Sequence, residues 1–170
     1  MGGLIAMEMT RARPERVWAL GLVATTAQPV TEAERADRHA LADEVERVGM
    51  APLVAYMEPG LFGPDPSPEL VADVQAMMER NRPAGAAAAM RGRVERPDYR
   101  PILQTVRAPV FVCVGDQDIW STAAVTAELV GCLTSPRVLE LEGVGHMPNL
   151  ERPDAFNAAL GAFLGACSST

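Results

Sequence analysis

Three short apolar runs, each followed by a polar or glycine-rich loop, stand out along the chain. They are Val17–Ala24 (VWALGLVA), Pro109–Val114 (PVFVCV) and Val138–Leu141 (VLEL). Short runs that are rich in strand-forming residues are typical of strands buried on both faces of a parallel sheet. Because helical segments lie between them, the pattern predicts an α/β fold with about three parallel strands joined by right-handed crossovers.

Helical periodicity accounts for most of the remaining chain. Between residues 31 and 48 apolar side chains recur at spacings of four and three, and Thr31 with Glu34 forms a capping box. The segment Glu58–Pro68 is expected to be irregular because it is rich in proline and glycine. The other predicted helices are Gly3–Arg13, Ala51–Met57, Pro68–Arg80, Ala84–Val94, Ser121–Leu133 and Pro153–Leu164.

Composition and charge exclude several classes of protein. The 170 residues include 22 acidic and 15 basic side chains, and the net charge of −7 opposes generic binding to nucleic acid or to an anionic membrane. No apolar run approaches the roughly eighteen residues of a membrane span, and no signal peptide is visible.

The types of reactive side chain limit the chemistry further. Every basic residue is an arginine, which excludes Schiff-base and P-loop lysine chemistry. The three cysteines lie far apart, which favours reduced thiols and a cytoplasmic protein without a zinc site.

Side chains that could transfer protons follow the second and third predicted strands. Asp116 and Asp118 follow the second strand in the sequence Gly-Asp-Gln-Asp, and His146 follows the third in the sequence Gly-Val-Gly-His. Since the carboxyl ends of parallel strands meet at one edge of a sheet, we expect these groups to lie near one another. An acid beside a histidine supplies the orienting and proton-transferring parts of an acyl-transfer triad.

These residues and their order resemble the C-terminal portion of an α/β-hydrolase. The strand with GDQD, the loop GVGHMPNLERP and the closing helix PDAFNAALGAFL follow one another in that family's order, and the N-terminal MGG resembles the residues after the nucleophile in the Gly-x-Ser-x-Gly elbow. The resemblance implies that Asp118 is the acid, with Asp116 as the alternative, and that His146 is the base.

The resemblance also implies that the nucleophile is the residue before Met1, so that this chain contains none, and that an oxyanion-hole donor lies at Met1. In the 170-residue chain that position would carry an α-amino group with a pKa of about 8.

The resemblance also implies a domain organisation and an activity. Residues 1–30 and 95–170 would form the C-terminal part of the hydrolase core, and residues 31–94 would form a helical cap insertion. The activity would be hydrolysis of esters, lactones or similar small acyl substrates, without a metal or an organic cofactor.

Two other interpretations stay open. In one, the chain is catalytically silent and binds a partner, or forms a homo-oligomer, through an uncovered sheet edge. In the other, the fold is the same but the chemistry differs, because family members with an aspartate nucleophile, carbon–carbon bond cleavage or acyl transfer share this architecture.

Each candidate residue also has a purely structural interpretation. His146 would then only satisfy polar groups of its loop, and Asp118 would cap the helix that is predicted to begin at Ser121. Trp120 either shields the site or packs on the sheet. Glu151 is expected to begin the last helix rather than to take part in the chemistry.

No residue within the chain is expected to act as the nucleophile. Cys113 lies inside a predicted strand, where burial raises the pKa of a thiol and makes it inert. His39 has Asp43 four residues away, but a solvated acidic helix face is expected there rather than a metal site. The serines that lack the glycines of an elbow are Ser67, Ser121, Ser135, Ser168 and Ser169.

Overall fold

A computed structural model describes residues 1–168, and its centre is a parallel sheet of three strands in the order β1-β2-β3. The strands are β1 (Leu20–Val23), β2 (Val110–Gly115) and β3 (Arg137–Leu141). Both strand pairs are parallel, so all three carboxyl ends lie at the same edge of the sheet. The predicted α/β class and its three strands are confirmed.

The central strand, β2, is buried at every position because it has a neighbour on each side and helices on both faces. Its side chains alternate between two apolar clusters, as the pleat of a strand requires. Val110 and Val112 pack with a cluster that includes residues of the first helix, whereas Phe111 and Cys113 pack with Phe163 of the last helix. This packing holds the loop that follows β2 in a fixed position.

Helices occupy most of the rest of the described chain, and the predicted segments agree with them to within a few residues, apart from the corrections below. The capping box is present, since Thr31 accepts a hydrogen bond from the Glu34 backbone and the Glu34 side chain accepts one from the Thr31 backbone. The helices are α1 (Gly2–Ala12), α2 (Glu32–Val48), α3 (Ala51–Leu61), α4 (Pro68–Glu79), α5 (Pro83–Val94), α6 (Arg100–Leu103), α7 (Ala123–Gly131), α8 (Pro148–Glu151) and α9 (Pro153–Cys167).

Two predicted boundaries are wrong. The first strand begins at Leu20 instead of Val17. A 3-10 turn over Pro14–Arg16 uses the Val17 N–H, and pairing with the second strand begins only at Leu20, whose N–H donates to Pro109 O and whose register partner is Val110. The segment after residue 58 is not irregular at its start, since α3 continues to Leu61. Pro59 lies in the last turn of that helix, where its missing N–H costs one hydrogen bond and does not interrupt a longer helix.

The end of the chain differs from the prediction at Glu151. This residue does not begin the last helix; it is the final residue of the one-turn helix α8, and α9 begins at Pro153. Helices as short as α6 and α8 contain too few residues to show a periodic pattern, so the sequence did not predict them.

The described residues divide into two compact units. The first comprises residues 1–27, 60–65 and the chain from residue 98 onward, and it contains the whole sheet. The second comprises residues 28–59 and 66–97, and in its core α2 packs on α5 through Ala42, Val45 and Met90. None of the helices in residues 1–168 combines the length and the apolar composition of a membrane span.

Candidate active site

The loops after β2 and β3 are bound to each other through the backbone and Asp116. Gln117 N donates a hydrogen bond to Val144 O at 2.9 Å, and the Asp116 carboxylate accepts one from Gly143 N at 2.7 Å. A Cβ at Gly115 would lie 2.1 Å from Val144 O, so the close approach of the two loops requires glycine there. Asp116 therefore joins the two loops and is not the partner of the histidine.

Asp118 is the acid that contacts His146. Its Oδ2 lies 2.8 Å from His146 Nδ1, and the Asp118 side chain is completely buried whereas that of His146 is 24 % exposed. The other oxygen, Oδ1, accepts hydrogen bonds from Trp120 N and Ser121 N, both at 2.9 Å. Asp118 thus fixes the turn before α7 and orients the imidazole at the same time. It does not cap that helix, as its structural interpretation expected, because the N-cap of α7 is Thr122, whose hydroxyl accepts a hydrogen bond from Val125 N.

The surroundings of Asp118 favour its ionised form. Burial of the carboxyl opposes ionisation, but the hydrogen bond to His146, the backbone N–H groups of Ser121 and Trp120 and the charge of the imidazolium outweigh it, and the pKa lies below its usual value. A carboxylate that stays ionised at neutral pH stabilises a positive charge on the neighbouring imidazole.

Trp120 packs edge-on against the imidazole of His146. The two ring centroids are 4.8 Å apart and the ring planes are 85° from parallel. The indole also lies close to α3, since a Cβ at Gly60 would be 2.8 Å from its ring atoms. Trp120 therefore restricts the orientation of the imidazole, while His146 Nε2 makes no hydrogen bond to any residue in the described range 1–168.

Glu151 holds the histidine loop from the other side, and the sequence did not predict this contact. Its carboxylate accepts hydrogen bonds from Gly145 N at 2.9 Å and from Gly63 N at 2.7 Å. His146 N donates to Leu61 O at 3.0 Å. The position of Glu151 five residues after the histidine was the available signal, but nothing in the sequence pairs it with residues 61–63.

The start of α1 lies at the same edge of the sheet. A Cβ at Gly3 would lie 2.5 Å from Thr25 Oγ1, and Thr25 follows the carboxyl end of β1. Met1 is the N-cap residue of α1, its carbonyl accepts hydrogen bonds from Leu4 N and Ile5 N, and its side chain is exposed. Asp118 and His146 are thus in direct contact, and α1, whose N-cap is Met1, begins beside Thr25 after the end of β1.

The other residues that were considered for catalysis or metal binding lie in ordinary elements of the fold. Cys113 is buried in β2, and burial raises its pKa to about 11. Within residues 1–168 no three histidine, cysteine or acidic side chains come together as metal ligands, and His39 lies on α2. Ser67 is the N-cap of α4, Ser168 ends α9, and Ser169 lies outside the described residues.

Comparison with known proteins gives consistent matches along the chain. A family model described as "Alpha/beta hydrolase family" matches residues 1–159. The chain is 31% identical over 167 residues to 3-oxoadipate enol-lactonase 2 of Acinetobacter baylyi, covering 96% of this chain and 61% of that protein.

Solved structures agree with this match. A thermophilic esterase from Thermogutta terrifontis, solved with malate bound, superposes with a TM-score of 0.94 at 27% identity, over 98% of this chain and 62% of that one. The enol-lactonase from Burkholderia xenovorans LB400 superposes with a TM-score of 0.84 at 25% identity, over 97% and 63%. This chain spans about three fifths of the length of these relatives.

Proposed function

Since this chain belongs to the α/β-hydrolase family, with residues 1–159 matching the family model, we propose that it supplies the acid and the base of a serine hydrolase that cleaves esters or lactones. The observation that carries the proposal is the 2.8 Å contact between Asp118 Oδ2 and His146 Nδ1, with the acid buried. In a triad the acid holds the histidine in one tautomer and stabilises its charged form. Asp118 has the geometry and the lowered pKa that this role needs.

The reaction uses His146 as the proton carrier. Because an ionised Asp118 can only accept a hydrogen bond, the Nδ1 that contacts it carries the proton. Nε2 is therefore the nitrogen that accepts the proton of the attacking serine and later gives it to the leaving group. By the resemblance to the family's elbow, that serine would lie directly before Met1, and the Met1 backbone nitrogen, as an amide, would be one oxyanion-hole donor. The position of Met1 at the N-cap of α1 supports this assignment, since the donor lies at the start of a helix.

The proposed substrate is a small acyl compound, an ester or a lactone. The names of the relatives support this class, because they describe an esterase and two enol-lactonases. The mechanism needs no metal or organic cofactor, since proton transfer and nucleophilic attack are carried by side chains alone.

We also propose that residues 31–94 are the helical cap insertion and that residues 1–30 and 95–170 are the core. The division of the described chain between residues 27 and 28 and between 97 and 98 supports these limits. Residues 60–65 differ, because they pack with the unit that contains the sheet.

The proposal is tested by locating the nucleophile. The 170-residue chain and a form extended upstream along its reading frame are treated with a fluorophosphonate, which modifies activated serines, and the modified peptide is identified by mass spectrometry. We expect modification of a serine directly before Met1 in the extended form, and loss of that modification in its His146→Ala variant. If the upstream sequence places no serine there, or if labelling is independent of His146, the proposal is wrong.

A further inference from the structure

The Glu151 carboxylate joins two stretches of chain that are far apart in the sequence. Its Oε1 accepts a hydrogen bond from Gly145 N at 2.9 Å and its Oε2 accepts one from Gly63 N at 2.7 Å. Gly145 directly precedes His146, and Gly63 follows the end of α3. One side chain therefore ties the backbone beside the histidine to residues 61–63.

The two stretches touch through their backbones. His146 N donates to Leu61 O at 3.0 Å, which is a direct bond between the two stretches. Gly145 N is linked to the same segment indirectly, because it donates to the Glu151 carboxylate that also accepts from Gly63 N. A Cβ at Gly145 would lie 2.3 Å from the carbonyl carbon of Phe62, and a Cβ at Gly63 would lie 2.2 Å from Gly143 O. With no room for a side chain between them, a shift of one stretch must move the other.

A carboxylate is the side chain that suits this position. Two N–H donors converge on it, and an ionised carboxylate offers two acceptor oxygens and no donor. Hydrogen bonds to an ionised group are shorter and stronger than those between neutral groups. The one-turn helix α8 fixes the origin of the side chain, since Glu151 N donates to Met147 O at 2.9 Å.

From this geometry we propose that Glu151 is a positioning residue for His146. Its carboxylate holds the backbone of Gly145, and this places the imidazole at its distance from Asp118. The hydrogen bonds of Glu151 support its positioning of His146 directly, whereas the effect of Glu151 on the rate of catalysis rests on the proposed function.

The direct test uses the 170-residue chain and needs no turnover. Glu151→Ala and Glu151→Gln are compared with wild type by NMR, which reports the exchange of backbone amide protons and the tautomer of the His146 ring. We expect the amides of Gly145 and Gly63 to exchange about tenfold faster or more in Glu151→Ala, and the Nδ1–H tautomer to lose its dominance. Glu151→Gln should be intermediate, because its carboxamide offers one acceptor oxygen and turns a donor toward the other N–H.

The control is Glu142→Ala. Glu142 is exposed near the same loop, and its carboxylate makes no hydrogen bond or ion pair with residues 1–168. The amide of Val112, in the centre of β2, reports global stability and should change little in all variants if the effect is local. If Glu151→Ala does not fold, the Gln variant decides by the same two signals.

The kinetic test uses the extended form with an activated ester. We expect Glu151→Ala to lower kcat by up to about a hundredfold while KM stays within about twofold, because misplacing a reacting group affects the chemical step more than binding. The inference is overturned if Glu151→Ala leaves Gly145 exchange and the His146 tautomer as in wild type. Changed NMR signals without any ester hydrolysis in the extended wild type would contradict the proposed function and leave the positioning role in place.

Discussion

Asp116 and Asp118 lie two residues apart in one loop, yet their carboxylates serve different partners. Asp118 Oδ2 contacts His146 Nδ1 at 2.8 Å, whereas Asp116 Oδ1 accepts a hydrogen bond from Gly143 N at 2.7 Å. Asp118 is buried and Asp116 is exposed. One carboxylate therefore orients the imidazole, and the other holds together the loops that carry the pair.

This difference predicts the effect of two matched substitutions. In Asp118→Asn the carboxamide oxygen should stay on the N–H groups of Trp120 and Ser121, so that the NH2 group faces His146 Nδ1. The imidazole then carries its proton on Nε2 and cannot accept one from serine. We expect kcat of the extended form to fall on the order of ten thousand-fold and nitrogen NMR of the 170-residue chain to show the other tautomer.

Asp116→Asn is the control, because its carboxamide oxygen still accepts the hydrogen bond from Gly143. We expect its kcat to change by less than about tenfold and its tautomer to stay as in wild type. Equal losses of kcat in Asp118→Asn and Asp116→Asn would contradict the different roles of the two aspartates.

The lowered pKa of Asp118 predicts how stability depends on pH. A carboxyl group that is more acidic in the folded than in the unfolded chain stabilises the fold above its unfolded pKa, which is about 3.9, and this contribution is lost as the pH falls through the folded value. We expect the free energy of unfolding of wild type to exceed that of Asp118→Asn at pH 6 and the difference to shrink toward pH 3. Urea unfolding at several pH values measures this, and a constant difference would contradict it.

Burial of Cys113 predicts an unreactive thiol. Its pKa is raised to about 11 because the side chain lies in the centre of the sheet. At pH 8 the folded chain should therefore be alkylated at Cys113 far more slowly than at Cys167, which is half-buried, and both should react in urea. Peptide mapping after iodoacetamide treatment measures the two rates. Rapid modification of Cys113 in the folded chain would make it a candidate nucleophile after all.

Gly145 should tolerate no side chain, in contrast to a glycine in an open position. A Cβ at Gly145 would lie 2.3 Å from the Phe62 backbone, whereas a Cβ at Gly161 in α9 has nothing within 4 Å. We expect Gly145→Ala to lower the free energy of unfolding by about 1–3 kcal/mol through overpacking. Gly161→Ala should raise it by up to about 1 kcal/mol, because alanine favours the helix. Thermal or urea unfolding of both variants measures these changes. If Gly161→Ala also lowered the free energy of unfolding, the expected contrast between the crowded Gly145 and the open Gly161 would be contradicted.

Much of the fold could be predicted because local patterns determine it. Continuous apolar runs such as residues 110–114 belong to a strand buried on both faces, and Thr31 with Glu34 marks a helix start by direct hydrogen bonding. The contact of Asp118 with His146 could be expected from the parallel strand order, since both residues follow strand ends at one edge.

The features that the sequence did not predict depend on tertiary contacts. The role of Glu151 depends on residues 61–63, which are distant in the sequence and become its partners only in the folded chain. The late start of β1 depends on where β2 begins to offer pairing partners. The continuation of α3 through Pro59 opposes a local rule, and the buried side chain of Leu61 supports the last turn.

The two histidines of the chain provide the most direct test of the proposed hydrolase chemistry. His146 contacts Asp118, whereas His39 lies on α2 in the second compact unit. The test compares kcat/KM for an activated ester between the extended form and its His146→Ala and His39→Ala variants. A loss of about a thousandfold or more in His146→Ala, with His39→Ala close to wild type, is the predicted result. Hydrolysis that persists in His146→Ala would contradict the assignment of His146 as the base.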